Sequence, residues 1–351
     1  FWGKEDALAD MVWVIRKFRP DVIITRFTAD NSGGHGHHTA SAILLNEAFS
    51  AAADPGRFPE QLKEVQPWRT ERLFWNSWRP GQPEAVNLPR IDTGEFNPPL
   101  GKSYSEMAAE SRSQHKSQGF GSAGRRGNQY EYFQLLAGSP AATDVFEGID
   151  TSWSRIPGGQ KVGAALAHVL GSIDLRRPSK ALPALLAVYA ELGKLDDTRW
   201  VPLKKRELLR VIQSCAGLWM EAIADDFSAA PGDDIKISAA VINRSDFPLT
   251  LHSIGIPGLA DDTVVDRPLE NGVPWTSEKK AGLPKGFPIS QPFWLKDRPG
   301  KGLFTIKPQD LVGPAENPPS IQARIVVTAG GEPLEFFVPV VFRWTDRVAG
   351  E

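Results

Sequence analysis

The sequence is poor in cysteine, in net charge and in long apolar runs. Its one cysteine, Cys215, excludes an intrachain disulfide and a metal site built from cysteines. A formal net charge of −2 gives no electrostatic reason to expect nucleic acid or an anionic membrane as a partner. No apolar run approaches the roughly 18 residues of a membrane span, so we predict none. The 351 residues, 41% of them hydrophobic and 23% charged, indicate a globular protein of two or three domains.

The first 145 residues alternate between helical and strand patterns. In order, they predict a helix over 5–18, a strand over 21–27, a polar loop over 28–38, a helix from about Thr39 and a strand over 72–78. The run "DVIITRF" at 21–27 is rich in β-branched residues, as in a parallel strand covered on both faces. The alternation predicts an α/β fold with a Rossmann-like open parallel sheet over residues 1–145.

Two loops and a capped helix complete this region. Residues 79–102 are predicted to form a long loop that contains prolines. Ser103 and Glu106 fit a capping box that opens a helix running to about Gln118. The glycines of "GFGSAGRRGNQ" then predict another loop.

The rest of the chain changes character twice. Residues 146–228 are predicted to be a helical linker or subdomain, with helices over 161–172, 179–193 and 202–224. From 229 to 351, short apolar or alternating stretches, "GLFTI" among them, are separated by glycine and proline. This pattern predicts an immunoglobulin-like β-sandwich, whose boundary we place near Ala229–Asp234.

Histidine is scarce but concentrated. Three of the six histidines, His35, His37 and His38, fall within four positions of "GGHGHHTAS". Ligands of open α/β sheets bind beyond the carboxyl ends of the strands, and this turn leaves that end of "DVIITRF". Histidine is a common metal ligand and an acid or base near neutral pH. The turn therefore predicts a metal or catalytic site, in which the glycines permit sharp turns and the helix N-terminus favours neutral imidazole.

The stretch "RPDVIITRF…GGHGHHTAS" resembles the second signature, Gly-His-x-x-His, of the PIG-L (LmbE-like) zinc de-N-acetylases. The resemblance implies Zn²⁺ as the cofactor, His38 as a zinc ligand, and His35 as the residue that stabilises the oxyanion or protonates the leaving amine. His37 takes a spacer position where many members have Asp. "ESRSQHKSQGFG" at 110–121 is similar to a helix of the same fold, with His115 among the matching residues. Together these stretches extend the resemblance over about residues 1–135.

The first signature of that family, His-Pro-Asp-Asp-Glu, does not occur in this sequence. In the family it supplies a zinc histidine, a zinc aspartate and the aspartate that acts as general base, on the first strand of the sheet. A catalytic zinc site needs about three protein ligands and one open position. We therefore expect a sheet that is incomplete at its N-terminus, half an active site, and an inactive chain when these residues stand alone.

Several polar residues are candidates for substrate binding. Arg26 and Asp30 flank the histidine turn and fit a role in orienting substrate; the alternative is a pair at the surface or core edge. His115 fits either a substrate contact or a buried polar brace. Arg125 and Arg126, in the glycine-rich loop, are candidates for holding a sugar or an acidic group.

The resemblance implies a hydrolase that removes the acetyl group from an N-acetylated amino sugar, of the N-acetylglucosamine type, or from a related glycoconjugate. One alternative is a non-catalytic carbohydrate-binding or scaffold protein with an α/β remnant and a β-sandwich; another is a different metal hydrolase that uses the same loop. Similarity to the long bacterial members suggests a periplasmic or secreted protein, with the cytoplasm as the other possibility. The oligomeric state stays open.

Overall fold

The computed structural model describes residues 3–77, 88–119, 121–348 and 350, and divides the chain into two compact units. Unit 1 comprises Phe1–Asp150 and Arg298–Gly313, and unit 2 comprises Thr151–Asp297 and Pro314–Glu351. The boundary that the sequence predicts near residue 146 lies close to this division. The boundary predicted near Ala229–Asp234 lies inside unit 2.

The described residues of unit 1 contain three α-helices and six strands. In chain order they are α1 (Lys4–Phe18), β1 (Val22–Thr25), α2 (Gly36–Ala51), β2 (Arg72–Ser77), β3 (Arg90–Asp92), β4 (Phe96–Asn97), β5 (Lys102–Ser103), α3 (Tyr104–Ser113) and β6 (Tyr130–Gly138). Helix α1 ends at Arg19, which adopts a left-handed conformation directly before Pro20. The predicted loop over 79–102 contains the short strands β3 and β4 in its described part; residues 78–87 lie outside the described residues.

The main sheet of unit 1 has the strand order β1-β2-β6-β3. Strands β1 and β2 are parallel, as predicted, and pair from Val22 with Arg72 to Thr25 with Trp75. Strand β6 is antiparallel to both β2 and β3, so the prediction of a parallel sheet is wrong for this half. No crossover helix is needed between antiparallel neighbours, and β6 follows directly after the glycine-rich loop. Strand β1 lies at the edge of the described sheet and Ile24 is 46% exposed, so it is not covered on both faces.

Two buried arginines anchor the loops of unit 1. The guanidinium of Arg16, on α1, is fully buried and donates hydrogen bonds to the side-chain oxygen of Gln61 and to five backbone carbonyls. These carbonyls belong to Ala51, Ala52, Asp54, Arg57 and Phe58. Arg72, on β2, donates to the carbonyls of Ser139, Pro140, Val145 and Glu147. Buried carbonyls need such partners, so each arginine fixes the course of one connecting segment.

In unit 2, the part of the chain that the structure describes forms three α-helices and seven strands. They are α4 (Gln160–Ser172), α5 (Leu182–Leu192), α6 (Trp200–Cys215), β7 (Trp219–Ala224), β8 (Asp234–Ile242), β9 (Leu249–Ile256), β10 (Ala260–Leu269), β11 (Trp275–Gly282), β12 (Gln322–Ala329) and β13 (Glu332–Val341). The helix predicted over 202–224 ends at Cys215, because Gly217 takes a positive φ of 58° and turns the chain into β7. The stretch "GLFTI" at 302–306 forms no strand and belongs to unit 1.

The seven strands of unit 2 form one hydrogen-bonded order, β10-β9-β12-β13-β7-β8-β11. Strand β13 connects its two halves: it is antiparallel to β12 up to Pro339 and parallel to β7 at Val340 and Val341. Apolar residues of α4, α5 and α6 share one core with the inward-facing residues of the strands. The boundary predicted near Ala229–Asp234 therefore divides a single core.

Candidate active site

The candidate site begins where β1 ends. The Thr25 hydroxyl donates to the carbonyl of Phe27 over 3.0 Å and bends the chain out of the strand. In the loop that follows, the Asp30 carboxylate accepts hydrogen bonds from the Thr28 hydroxyl and from the amide and hydroxyl of Ser32. The structure thus places Asp30 as a brace inside the loop that carries the histidines. Its role towards substrate stays a prediction.

The histidines lie on a helix terminus rather than in a loop. Helix α2 begins at Gly36, with His35 as its N-cap, so the prediction of a start near Thr39 is three residues late. The His35 carbonyl accepts the amides of His38 (3.0 Å) and Thr39 (3.2 Å), which closes the first turn. The sequence pattern missed this turn because its polar histidines resemble loop residues.

The three imidazole rings form one cluster. Ring centroids are 5.1 Å apart for His35 and His38, 4.3 Å for His37 and His38, and 5.6 Å for His35 and His37. The rings of His35 and His37 are exposed, whereas that of His38 is half-buried. His38 stacks on Phe27 with centroids 3.8 Å apart and planes 7° from parallel. The end of β1 therefore fixes the plane of one imidazole and leaves two in solvent.

A hydrogen bond determines which nitrogen of His38 is available. Its Nδ1 lies 3.1 Å from the carbonyl oxygen of Gly33. A carbonyl oxygen can only accept, so Nδ1 carries the proton and the Nε2 of the neutral ring keeps its lone pair. A backbone carbonyl at one ring nitrogen is the arrangement that commonly orients a metal-binding histidine. His38 is thus prepared to act through Nε2 as a ligand or base.

Only one of the three glycines of the turn needs glycine's freedom. Gly34 has a φ of 81°, in the left-handed region that favours glycine. Gly33 and Gly36 are not in that region, and a Cβ at Gly33 would meet the Cβ of His38 at an ordinary 3.5 Å. The expectation that all three permit sharp turns therefore holds at Gly34 alone.

A polar network lies beside the turn, at the carboxyl ends of β1 and β2. Arg26 donates to the Asn76 side-chain oxygen and, over 3.0 Å, to the Glu131 carboxylate. Asn76 in turn donates to the same carboxylate over 2.8 Å. Sequence reasoning selected Arg26 but missed both partners. Asn76 was detectable as a polar residue at the end of a predicted strand, whereas Glu131 was not, because β6 was not predicted.

The remaining candidates lie around α3. The capping box is present in both directions, since the Ser103 amide donates to Glu106 and the Ser103 hydroxyl accepts from the Glu106 amide. The Ser103 amide and hydroxyl hold the pKa of Glu106 below its ordinary value. Arg126 pairs with the same carboxylate over 2.9 Å, and the Arg125 carbonyl accepts the Ser105 hydroxyl. This loop is thereby fastened to the first turn of α3.

His115 lies beyond α3 rather than on it. The helix ends at Ser113, short of the predicted end near Gln118, and a separate 3₁₀ turn follows at Lys116–Gln118. His115 precedes this turn and is exposed, so the alternative of a buried brace is wrong. Its substrate-binding role stays a prediction, as do those of Arg125 and Arg126.

The described residues meet one requirement of a zinc site but not the requirement for three ligands. The orientation of His38 suits a nitrogen ligand. Within residues 3–77, 88–119, 121–348 and 350, no group of three or more histidine, cysteine, aspartate or glutamate side chains could hold a metal ion. In the same residues, no helix has the length and apolarity that crossing a bilayer requires.

Comparisons with known proteins give local matches. A 74-residue stretch is 35% identical to 1D-myo-inositol 2-acetamido-2-deoxy-alpha-D-glucopyranoside deacetylase 2 of Saccharopolyspora erythraea, and it covers 20% of this chain and 25% of that protein. An 80-residue stretch is 34% identical to the deacetylase of the same name from Streptomyces scabiei, covering 22% and 23% of the two chains. A third, from Geodermatophilus obscurus, is 33% identical over 79 residues, or 21% and 25%. The chain thus spans about a quarter of the length of these relatives.

Comparisons with protein-family models and with solved structures do not identify a family for this chain. The chain matches no protein-family model. Among solved structures, it aligns with Pseudomonas fluorescens alkylpurine DNA glycosylase AlkC bound to DNA containing an abasic site analog, at 13% identity over 45% of this chain and 47% of that chain. The TM-score of 0.17 is too low for a common fold to be argued. What the comparisons establish is that part of the chain is similar to deacetylases of acetylated amino-sugar conjugates.

Proposed function

We propose that this chain contributes the histidine half of a zinc-dependent de-N-acetylase site, which hydrolyses the acetamide of an N-acetylated amino-sugar conjugate. The observation that carries the proposal is the hydrogen bond from His38 Nδ1 to the Gly33 carbonyl, since it leaves Nε2 as the nitrogen with a lone pair on a ring that lies beside His35. The local similarity to deacetylases supports the reaction class and the substrate class.

In this proposal His38 is one of the metal's ligands. Zinc, when bound, supplies polarisation of the amide carbonyl and activation of water. The Phe27 stack and the Gly33 carbonyl hold the His38 ring in a single orientation before any ion arrives, which reduces the ordering that binding requires. Two further ligands and the general base are required from elsewhere, because the described residues contain no group of three.

In this proposal His35 is the proton donor. Its exposed ring lies 5.1 Å, centroid to centroid, from that of His38, and its side chain makes no capping hydrogen bond. In the proposal it donates a hydrogen bond to the acetamide oxygen as negative charge develops there, and then protonates the departing nitrogen. Water adds to the carbonyl carbon, the carbon–nitrogen bond breaks, and acetate and a free amine result.

We further propose that the network of Arg26, Asn76 and Glu131 orients the sugar. It lies at the carboxyl ends of β1 and β2, next to the histidine turn, and offers both donors and acceptors. Sugar hydroxyls need both kinds of partner. In the proposal these residues position substrate and take no part in bond breaking.

The test separates metal binding from turnover in the longest natural form of the protein. We expect His38→Ala to lose bound zinc, measured by mass spectrometry of metals, and to lose nearly all release of acetate from N-acetylglucosaminyl inositol. We expect His35→Ala to keep zinc and to lose turnover. His37→Ala is the matched control and should retain both. If His35→Ala strips the metal while His38→Ala keeps it, the two roles are assigned the wrong way round.

A second candidate function, carbohydrate binding without catalysis, is favoured by one observation. The described residues contain no complete set of metal ligands. In that case N-acetylglucosaminyl inositol binds to the protein, whether or not zinc is added, and no acetate appears. Calorimetry combined with an acetate assay on the same sample separates this outcome from the hydrolase.

A further inference from the structure

A cleft in unit 2 is lined by three cations and by aromatic rings of α5 and β13. It lies between α6 and the strands β7 and β13 and has a volume of about 870 Å³. Lys205, Arg206 and Arg210 line it from α6, Tyr189 from α5 and Phe337 from β13. Its size falls within the range of roughly 300–1,000 Å³ typical of small-molecule sites.

The two arginines of the cleft are unneutralised. Arg206 and Arg210 are exposed and stand one helical turn apart, and no carboxylate in the described part of the chain pairs with either. Like charges at this spacing destabilise a helix. By contrast, Lys204 of the same helix forms an ion pair with Glu207 over 2.8 Å. The carboxylate of Glu335, which lines the cleft, forms an ion pair with Arg324. Two guanidinium groups facing one cleft therefore suit an oxyanion from outside the chain.

Lys205 and Tyr189 form the adjacent wall. The Lys205 Nζ lies 4.5 Å from the centroid of the Tyr189 ring, which holds the ammonium group at the cleft. Burial raises the pKa of Tyr189, and the nearby carboxylates of Glu335 and Glu332 raise it further. The phenol therefore stays protonated and offers a hydrogen-bond donor.

Phe337 presents an apolar ring to solvent. Side chains alternate along β13, so Phe336 is buried at 6% exposure and Phe337 is 52% exposed. Phe337 also lines an adjoining depression of about 210 Å³, next to Leu259 and Phe287. An exposed ring on a sheet stacks readily on the flat apolar face of another ring. Beside it, Gln213 and Gln322 line the cleft. The Gln213 amide nitrogen donates to the Leu218 carbonyl over 3.3 Å and its oxygen remains as an acceptor for a hydroxyl group, whereas Gln322 suits a hydroxyl group with both its donor and its acceptor.

We propose that this cleft binds an acidic oligosaccharide. The carboxylate of a uronic acid unit is held by Arg206 and Arg210, the sugar ring lies on Phe337, and the hydroxyls meet Gln213 and Gln322. The argument rests on unit 2 alone and does not depend on the histidine turn. It gives the chain a second saccharide site, which recognises charge rather than an acetamide.

The test is calorimetry of the whole chain with tetragalacturonate, with neutral maltotetraose as the control sugar. We expect tetragalacturonate to bind and to weaken as NaCl is raised, because salt screens exposed charges. Arg206→Gln with Arg210→Gln should weaken binding by at least about tenfold, since each removes a charged hydrogen bond. Lys161→Gln is the matched control, an exposed cation on α4 of the same unit and outside the cleft lining, and should retain the affinity.

Phe337→Ala should weaken binding about tenfold through the lost stacking. All four side chains are exposed or half-buried, so the thermal midpoint should stay close to that of the parent and the comparison remains valid. The proposal is overturned if tetragalacturonate does not bind, if maltotetraose binds equally well, or if the double arginine variant keeps the parent affinity. Binding of glucose 6-phosphate but not of tetragalacturonate would overturn the carboxylate assignment.

Discussion

The interior of unit 1 is stabilised differently from the interior of unit 2. In unit 2 the helices and strands share one continuous apolar core. In the described part of unit 1 there are two small apolar clusters, one around Leu8 and Ala48 and one around Phe74 and Phe133. Its loops are fastened by buried guanidinium groups instead. The difference shows how connecting segments can be fixed in position by directional polar bonds that supplement small apolar clusters.

The largest expected effect concerns the single core of unit 2. A polypeptide of residues 230–351 lacks α4–α6 and also β7, which pairs with β8 on one side and β13 on the other. We expect it to remain unfolded, whereas residues 151–351 should give a cooperative thermal transition. Circular dichroism melts of the two polypeptides check this. A cooperative transition in residues 230–351 would show that the strands form an independent domain.

The next effect tests the polar fastening of unit 1. Arg16→Met removes six hydrogen bonds and leaves the Arg57 carbonyl and the Gln61 side-chain oxygen without a donor, so the free energy of unfolding should fall by about 3–5 kcal/mol. Arg16→Lys should also destabilise, because an ammonium group has only three donors. Leu251→Ala, at a fully buried position of unit 2, is the apolar counterpart and should cost about 3 kcal/mol.

Hydrogen exchange measured by mass spectrometry localises these losses. Protection should fall around α1 and α2 in Arg16→Met, and in β9 and β12 in Leu251→Ala. An Arg16→Met variant within about 1 kcal/mol of the parent would mean that unit 1 does not depend on its buried guanidinium groups.

A smaller effect belongs to the α3 cap. Ser103→Ala removes the hydroxyl that accepts the Glu106 amide, and it should lower the free energy of unfolding by about 1 kcal/mol. Ser111→Ala, an exposed serine of the same helix, is the control and should change little. Urea titrations of both variants provide the measurement. Equal stabilities would show that the cap does not stabilise unit 1.

The smallest effect is a pH dependence confined to unit 1. The amides of Thr143 and Ala142 and the Thr143 hydroxyl lower the pKa of Glu147 from 4.5 to about 2. A lowered pKa in the folded state stabilises the protein above the unfolded value, and this contribution is lost as the pH falls from about 4.5 to about 2. Glu147→Gln should therefore be less stable than the parent at pH 7 and equal to it near pH 2, in urea titrations at each pH. A constant difference would contradict this.

Locally encoded elements were predictable from the sequence. The period of α1, its end before Pro20 and the Ser103–Glu106 box depend on neighbours within a few residues, and the structure has all three. The start of β7 was not predictable, because the apolar pattern from Leu208 to Ile223 suits a helix throughout and the break depends on Gly217. Strand β6 was missed since its partners, β2 and β3, are chosen by long-range pairing.

The candidate site also has one feature that is encoded locally in the sequence and others that are not. The concentration of histidines after a strand was enough to locate it. The choice of nitrogen in His38 was beyond the sequence, because its partner is a backbone carbonyl and every residue has one. Sequence reasoning did not select Glu131 for a related reason: a carboxylate on an unpredicted strand cannot be assigned to a sheet edge.

The double pairing of β13 has a consequence for the time course of folding. Val340 and Val341 pair with Ala222 and Ile223, a contact of very long sequence separation. A ribosome adds about 5–20 residues per second, so one edge of β7 stays open for seconds while β8–β12 emerge. Contacts of this range also slow the search itself. The second unit can complete its sheet only after translation of β13, which makes that interval its period of greatest exposure to aggregation.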